Sequence, residues 1–200
     1  MASPTEMQKL TRDSMMTLEA YAKARKDFRA QVIAHKKPRT VHLGEHLTLI
    51  FEDELTIRYQ VQEMLRIEKI FEEQGIQDEI DAYSSLIPDG SNFKATMLIE
   101  YEDLEERRVA LEKLRGVEDR VYMQVEGSAA VYAIADEDLE RENDQKTSAV
   151  HFLRFEMTKE MAAALKYGVA LSMGVDHPSY AAKLDPLGAE ARAALIKDLD

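Results

Sequence analysis

Five histidines are the residues best able to carry chemistry in this chain of 200 residues: His35, His42, His46, His151 and His177. Imidazole serves as a metal ligand or as a proton carrier near neutral pH. His42 and His46 lie four apart. On one extended strand they would share a face and could hold a metal ion between them. A Gly44-Glu45 hairpin loop would instead pair Leu43 with His46 and turn the two rings to opposite faces. The hairpin is the preferred reading, which leaves the pair a poor metal site.

Glu68 is the second focus. After Asp53, residues Ile57, Val61, Met64, Leu65, Ile67 and Phe71 form an apolar arc at about 100° per residue, and Glu68 falls near its centre. A carboxylate turned inward costs several kcal/mol unless it finds a cation, a metal or a proton. Arg25 and Arg29 fall on the inward arc of the preceding helical segment. They are the natural partners of Glu68, as an ion pair or as the wall of a ligand site. Glu63 lies about 140° from Glu68 around a helix, so the two cannot act as paired carboxylates. It faces the other way, beside Arg66, where the two can pair along the surface.

His151 shares a strand face with Leu153, Phe155 and Met157 and should point into the core, where a histidine is usually satisfied by hydrogen bonds. Glu100 ends its strand, from which a carboxylate can reach a cleft. Asp176, His177 and Tyr180 follow the last apolar strand. Such a group could do acid–base work or simply cap the next turn. The candidate polar cluster is therefore Arg25, Arg29, Glu68, Glu100, His151, Asp176, His177 and Tyr180.

Composition excludes several chemistries. There is no cysteine, so disulfides, thiolate nucleophiles and Cys-ligated zinc or iron–sulfur clusters drop out. A net charge of -12 argues against duplex DNA and anionic membranes as partners, since both are held by Lys and Arg. No phosphate-binding loop, dinucleotide fingerprint, zincin helix, nucleophile elbow or EF-hand loop occurs. The polar N-terminus lacks the apolar stretch of a signal peptide, and no apolar run approaches the roughly 20 residues of a membrane helix. A cytoplasmic address is expected.

The elements that must position these residues read as follows. Residues 1–14 should be flexible, with a single domain over 15–200. A helix over 17–35 stops at Pro38, the 41–51 segment alternates as a hairpin, and Asp53 caps a long helix reaching Gln74 and ending at Gly75. A short helix over 76–84 follows. Strand–helix–strand then appears at 95–126 and again at 149–175, each helix closed by a glycine. Between them, 130–135 reads as a strand and 136–143 as a short acidic helix. A last helix covers 187–199. The fold class is α+β: a mostly antiparallel sheet with helices largely on one face, built from two strand–helix–strand units and an N-terminal helix–hairpin–helix portion. A homodimer is compatible with this plan.

The chain resembles a bacterial family of uncharacterised proteins. The matching stretches run from Val32 to Lys37, Val41 to Gly44, Leu49 to Asp53, Arg58 to Glu68, Leu86 to Gly90, Ala95 to Tyr101, Ala135 to Leu139, Lys146 to Glu156 and Val175 to Tyr180. The resemblance implies a domain whose genes often neighbour those of rubrerythrin-like and iron–sulfur oxidoreductase proteins. It implies a redox or iron–sulfur partner and supplies no catalytic residues. Two functional readings stand side by side. One is a non-catalytic accessory protein serving such a partner. The other is an enzyme or a ligand- or metal-binding domain built on buried Arg, Glu and His.

Overall fold

The computed structural model describes residues 9–139, 141–143 and 145–200. Residues 1–8 of the expected flexible N-terminus lie outside this range. Beyond them the chain is already packed: Leu10 and Met15 are buried around a 3-10 turn, Arg12–Ser14. Helix α1 (Leu18–Lys36) starts where Thr17 accepts a hydrogen bond from the Ala20 amide. Pro38 ends it inside a 3-10 turn, Lys37–Arg39. Strands β1 (Thr40–Leu43) and β2 (Leu47–Phe51) form the expected hairpin with a different loop. Leu43 pairs with Leu47, so the turn holds Gly44, Glu45 and His46. Gly44 adopts φ 72° there, which favours glycine.

Asp53 caps helix α2 (Glu54–Glu68) through Thr56. The helix stops well short of Gln74. Lys69 takes a left-handed conformation (φ 56°) and the Ile70 amide folds back on the Leu65 carbonyl. Gly75, expected to be the stop, sits inside the first turn of α3 (Glu73–Ser84). Helices α1 and α2 run antiparallel, with Phe28 against Tyr59 edge to face and His35 at Asp53. Ile57, Val61, Leu65, Ile76 and Ile80 form a small core with Leu10 and Met15.

The rest of the chain builds two antiparallel sheets where one was expected. It supplies β3 (Asn92–Ile99), α4 (Leu104–Lys113), β4 (Val121–Val125), β5 (Val131–Tyr132), β6 (Ile134–Ala135), β7 (Val150–Glu156), α5 (Lys159–Lys166), β8 (Leu171–His177), β9 (Tyr180–Leu184) and α6 (Ala189–Leu195). The first sheet has the order β1-β2-β3-β7-β6 and the second β5-β4-β8-β9. The two strand–helix–strand units are β3–α4–β4 and β7–α5–β8. Each begins in the first sheet and ends in the second. β3 pairs antiparallel with β7, and β4 with β8. The helices therefore leave the first sheet from opposite ends. Leu111 and Leu114 near one end, and Ala162 and Leu165 near the other, join the main core. Alternating residues such as Phe93, Ala95, Met97 and Phe155 face Val121, Met123 and Met173 inside it.

Two further expectations change. The strand read over 130–135 is split at buried Ala133, so that β5 joins one sheet and β6 the other. Among the described residues of 136–143 none is helical. Asp136 adopts φ 50° and Arg141 reaches back to its carboxylate, which turns the chain before a helix can start. No described helix is long and apolar enough to cross a membrane.

Candidate metal centre

The expected Glu68 centre does not form. Glu68 is exposed in the last turn of α2 and pairs with neither arginine. Arg29 is exposed as well. Arg25 instead clasps Glu63, with Nε 2.7 Å from Oε1 and Nη2 3.1 Å from Oε2. The Tyr21 hydroxyl donates to the same carboxylate at 2.5 Å, and Arg66 adds a third cation-borne contact. The cause is the rotation of α2. Its buried stripe is Ile57, Val61 and Leu65 with Gln62, whose amide group exchanges two hydrogen bonds with the Met16 backbone. That rotation sends Glu63 toward α1 and Glu68 to water. The Arg25 guanidinium holds the Glu63 carboxyl down at about 2, and burial beside Glu63 pushes the Tyr21 hydroxyl up.

His42, His46, Glu100 and Tyr180 gather where the β1–β2 turn meets β9. His42 Nδ1 faces Thr48 Oγ1 at 3.0 Å, and Thr48 donates to Glu100 Oε2 at 2.5 Å. The His46 ring stacks on Tyr101, with centroids 3.8 Å apart, and its Nδ1 faces the Glu100 carbonyl. Tyr180 donates to the Leu43 carbonyl and accepts from the His46 amide. These contacts fasten the seam between the sheets. Asp176 and His177 lie on β8, not in a loop, and point apart. Asp176 meets Arg120 and Tyr132, whereas His177 Nε2 faces the Arg115 carbonyl. The acid–base trio with Tyr180 is not assembled.

His151 alone among the candidates sits at a buried convergence of charge. It is fully enclosed on β7, as its strand face requires. Nδ1 lies 2.6 Å from Asp136 Oδ2. Nε2 lies 3.0 Å from both Thr147 Oγ1 and the Ser148 carbonyl, and 3.9 Å from Glu118 Oε2. Glu118 and Asp136 escaped the sequence reading. The first lies in a polar run between elements, and the second opens a stretch that reads as a short acidic helix.

Local structure explains how they arrive. Glu118 belongs to a 3-10 turn, Val117–Arg120, entered through Gly116 at φ 76°. The Gly116 amide donates to Glu142 Oε2 at 2.6 Å, which ties that turn to the 136–148 loop. The Thr147 amide bonds the Leu111 carbonyl at the end of α4. Asp136 Oδ1 accepts from the Phe152 amide and from Arg141, whose guanidinium also covers the Phe152 ring. The loop thus closes over His151 through polar clamps.

Glu118 is 6% exposed, and from other side chains its carboxylate receives only long hydrogen bonds, from Thr147 at 3.3 and 3.5 Å. Burial raises its pKa, and a hydrogen bond from its own backbone, then the attraction of His151, oppose that rise. One ligand atom each from Glu118, Asp136 and His151 lies within 4.8 Å of the others. No other such threefold group of metal-type side chains occurs among the described residues. An imidazole and carboxylates without thiolate suit divalent first-row metals. Asp136 acts on the far side of the ring, where it fixes the tautomer and aims Nε2. The chain Thr147–His151–Asp136 follows the order of a hydrolytic triad, yet Thr147 is 1% exposed. A nucleophile so enclosed has no room for a substrate carbonyl.

Residues 9–199 match the family model described as "Protein of unknown function (DUF3501)". The chain belongs to this family. A crystal structure from Burkholderia pseudomallei, described as a novel protein of unknown function, is 61% identical. It superposes with a TM-score of 0.88 over 96% of this chain and 100% of that one. No protein of curated function matches the chain.

Proposed function

We propose that this DUF3501 protein binds a divalent metal ion through His151 Nε2 and the Glu118 carboxylate, with Asp136 positioning the imidazole. The supporting observation is that Glu118 Oε2 lies 3.9 Å from His151 Nε2 in an enclosed site, within a grouping of metal-type side chains that Asp136 completes behind the ring. Glu118 lacks a strong partner, and a buried carboxylate in that state gains most from a cation. The Thr147 hydroxyl and the Ser148 carbonyl border the same side of the ring and can complete an oxygen-rich shell. A metal there would hold the 136–148 loop against β7.

A second reading is a purely structural pin. Both ring nitrogens already face protein acceptors, so the cluster can be satisfied by protons alone. Elemental analysis of the purified protein, followed by calorimetric titration with Mn(II), Fe(II) and Zn(II), separates the two. Near-stoichiometric binding that His151→Gln abolishes supports the metal centre. No bound metal and no saturable heat in the wild type leaves the pin.

We further propose an accessory role beside a redox or iron–sulfur partner. This rests on the gene neighbourhood that the family resemblance implies and on the absence of known catalytic motifs. Affinity purification from a native host then recovers a redox enzyme in stoichiometric yield. Repeated recovery of the protein alone ends the partner proposal and leaves the metal proposal standing.

A further inference from the structure

A separate cleft lies on the outer face of the first sheet, lined by none of Glu118, Asp136 and His151. Its empty interior is about 170 Å³, bounded by Glu52, Ser85, Leu86, Lys94, Phe152 and Arg154. Glu52 and Lys94 are cross-strand neighbours, because the Glu52 amide donates to the Lys94 carbonyl at 2.8 Å. Side chains opposite each other on one sheet face normally pair when their charges differ. These two do not.

The Glu52 carboxylate is 8% exposed, and its oxygens accept only hydroxyl donors, Thr56 at 2.5 Å and Thr96 at 2.7 Å. The Lys94 ammonium leans the other way and donates to the Ser85 carbonyl at 2.5 Å. The remaining charges along the cleft are already matched. Arg154 is held by Glu137 and Glu156, and Asp138 by Arg141. One carboxylate and one ammonium, neither held in a close ion pair, therefore share the cavity. Burial draws the Lys94 amine below its ordinary pKa range, against the more distant pull of Asp89, Glu137 and Glu156.

We propose that this cleft binds a small zwitterion of the α-amino acid type, its ammonium at Glu52 and its carboxylate at Lys94. A ligand carrying both charges compensates both groups at once. A simple amine or a simple carboxylate leaves one of them unpaired. Phe152 and Leu86 offer an apolar wall to a short side chain. The proposal is independent of the metal centre.

The test is an amide-detected NMR titration of the full chain with L-alanine, and with acetate and methylammonium as single-charge probes. Shifts of the amides around Lys94 and Phe152 should saturate with L-alanine. Each single-charge probe should bind at least about tenfold more weakly. Glu52→Gln keeps a side-chain oxygen for the threonine hydroxyls, and Lys94→Gln removes the charge. Each should weaken L-alanine binding at least about tenfold. The proposal fails if L-alanine gives no saturable shift up to about 10 mM, or if acetate binds as well as L-alanine. Those two results need only the wild-type protein, so a poorly folding variant does not blunt the test. Equal L-alanine affinity in both folded variants overturns it too.

Discussion

Asp136 Oδ2 lies 2.6 Å from His151 Nδ1, and this one contact decides which way the buried ring faces. With Nδ1 committed to Asp136, Nε2 is left for Glu118, Thr147 and Ser148. Asp136→Asn is the matching probe, because asparagine tolerates the positive φ at that position. The expected result is a fold that persists and a metal affinity lower by about 10–100-fold. Titration calorimetry of the two proteins side by side measures it.

Removing the ring itself is more costly. His151→Ala removes the imidazole that Asp136 Oδ2 and Glu118 face in a buried site and leaves Asp136 to Arg141 and the Phe152 amide. The loss of stability should be about 2–4 kcal/mol, read from urea unfolding in a metal-free buffer. A value near zero would show that the cluster contributes little to the fold.

The Glu63 clasp sets one acid limit. Its carboxyl is held at about 2, against an ordinary value of 4.5. A depressed carboxyl stabilises the fold at pH above its unfolded value, and the stabilisation is lost as pH falls from about 4.5 toward 2. Arg25 is largely solvated, so screening trims the effect to about 0.5–1 kcal/mol. Glu63→Gln should lower stability by that amount at pH 7 and flatten the acid limb of the unfolding curve.

Asp198 works in the opposite sense. Burial lifts it from 3.8 to about 6, with Arg39 pulling against the rise. A raised carboxyl contributes stability that is fully present below its unfolded value and lost as pH climbs through its folded value. Between about pH 4 and 6 this residue therefore makes the protein less stable as the solution becomes less acidic. Asp198→Asn keeps an acceptor for Arg39 Nη2 and should remove that slope. Urea midpoints taken across pH 4 to 7 are the measurement.

Tyr180 joins the sheets by two hydrogen bonds, to the Leu43 carbonyl and from the His46 amide. Tyr180→Phe should cost about 1–2 kcal/mol. Thermal unfolding gives the value.

The strand faces were legible because burial imposes a period of two, and His151 was placed inward on that ground alone. The paired strand–helix–strand units were legible for the same reason, and the Asp53 cap because its short carboxylate suits a helix's first free amides. What failed depended on partners far along the chain. The rotation of α2 is decided by Gln62 bonding the Met16 backbone, which no helical wheel contains. That shift replaced Glu68 with Glu63 at Arg25. Asp136 was hidden because its left-handed backbone is held by contacts to Phe152 and Arg141. Glu118 carries no local pattern, since its inward turn is set by Gly116 and Glu142. The split of the sheet at Ala133 likewise has no signature in alternation.

Each strand–helix–strand unit places its first strand on one side of the core and its second on the other, next to the corresponding strand of its twin. The halves of the chain are therefore interleaved. A fragment ending at residue 148 would leave β3 without β7 and β4 without β8, so each would lose the partner on one of its edges. During synthesis the nascent chain should stay protease-sensitive until β8 has cleared the ribosome, and then acquire resistance in a single step.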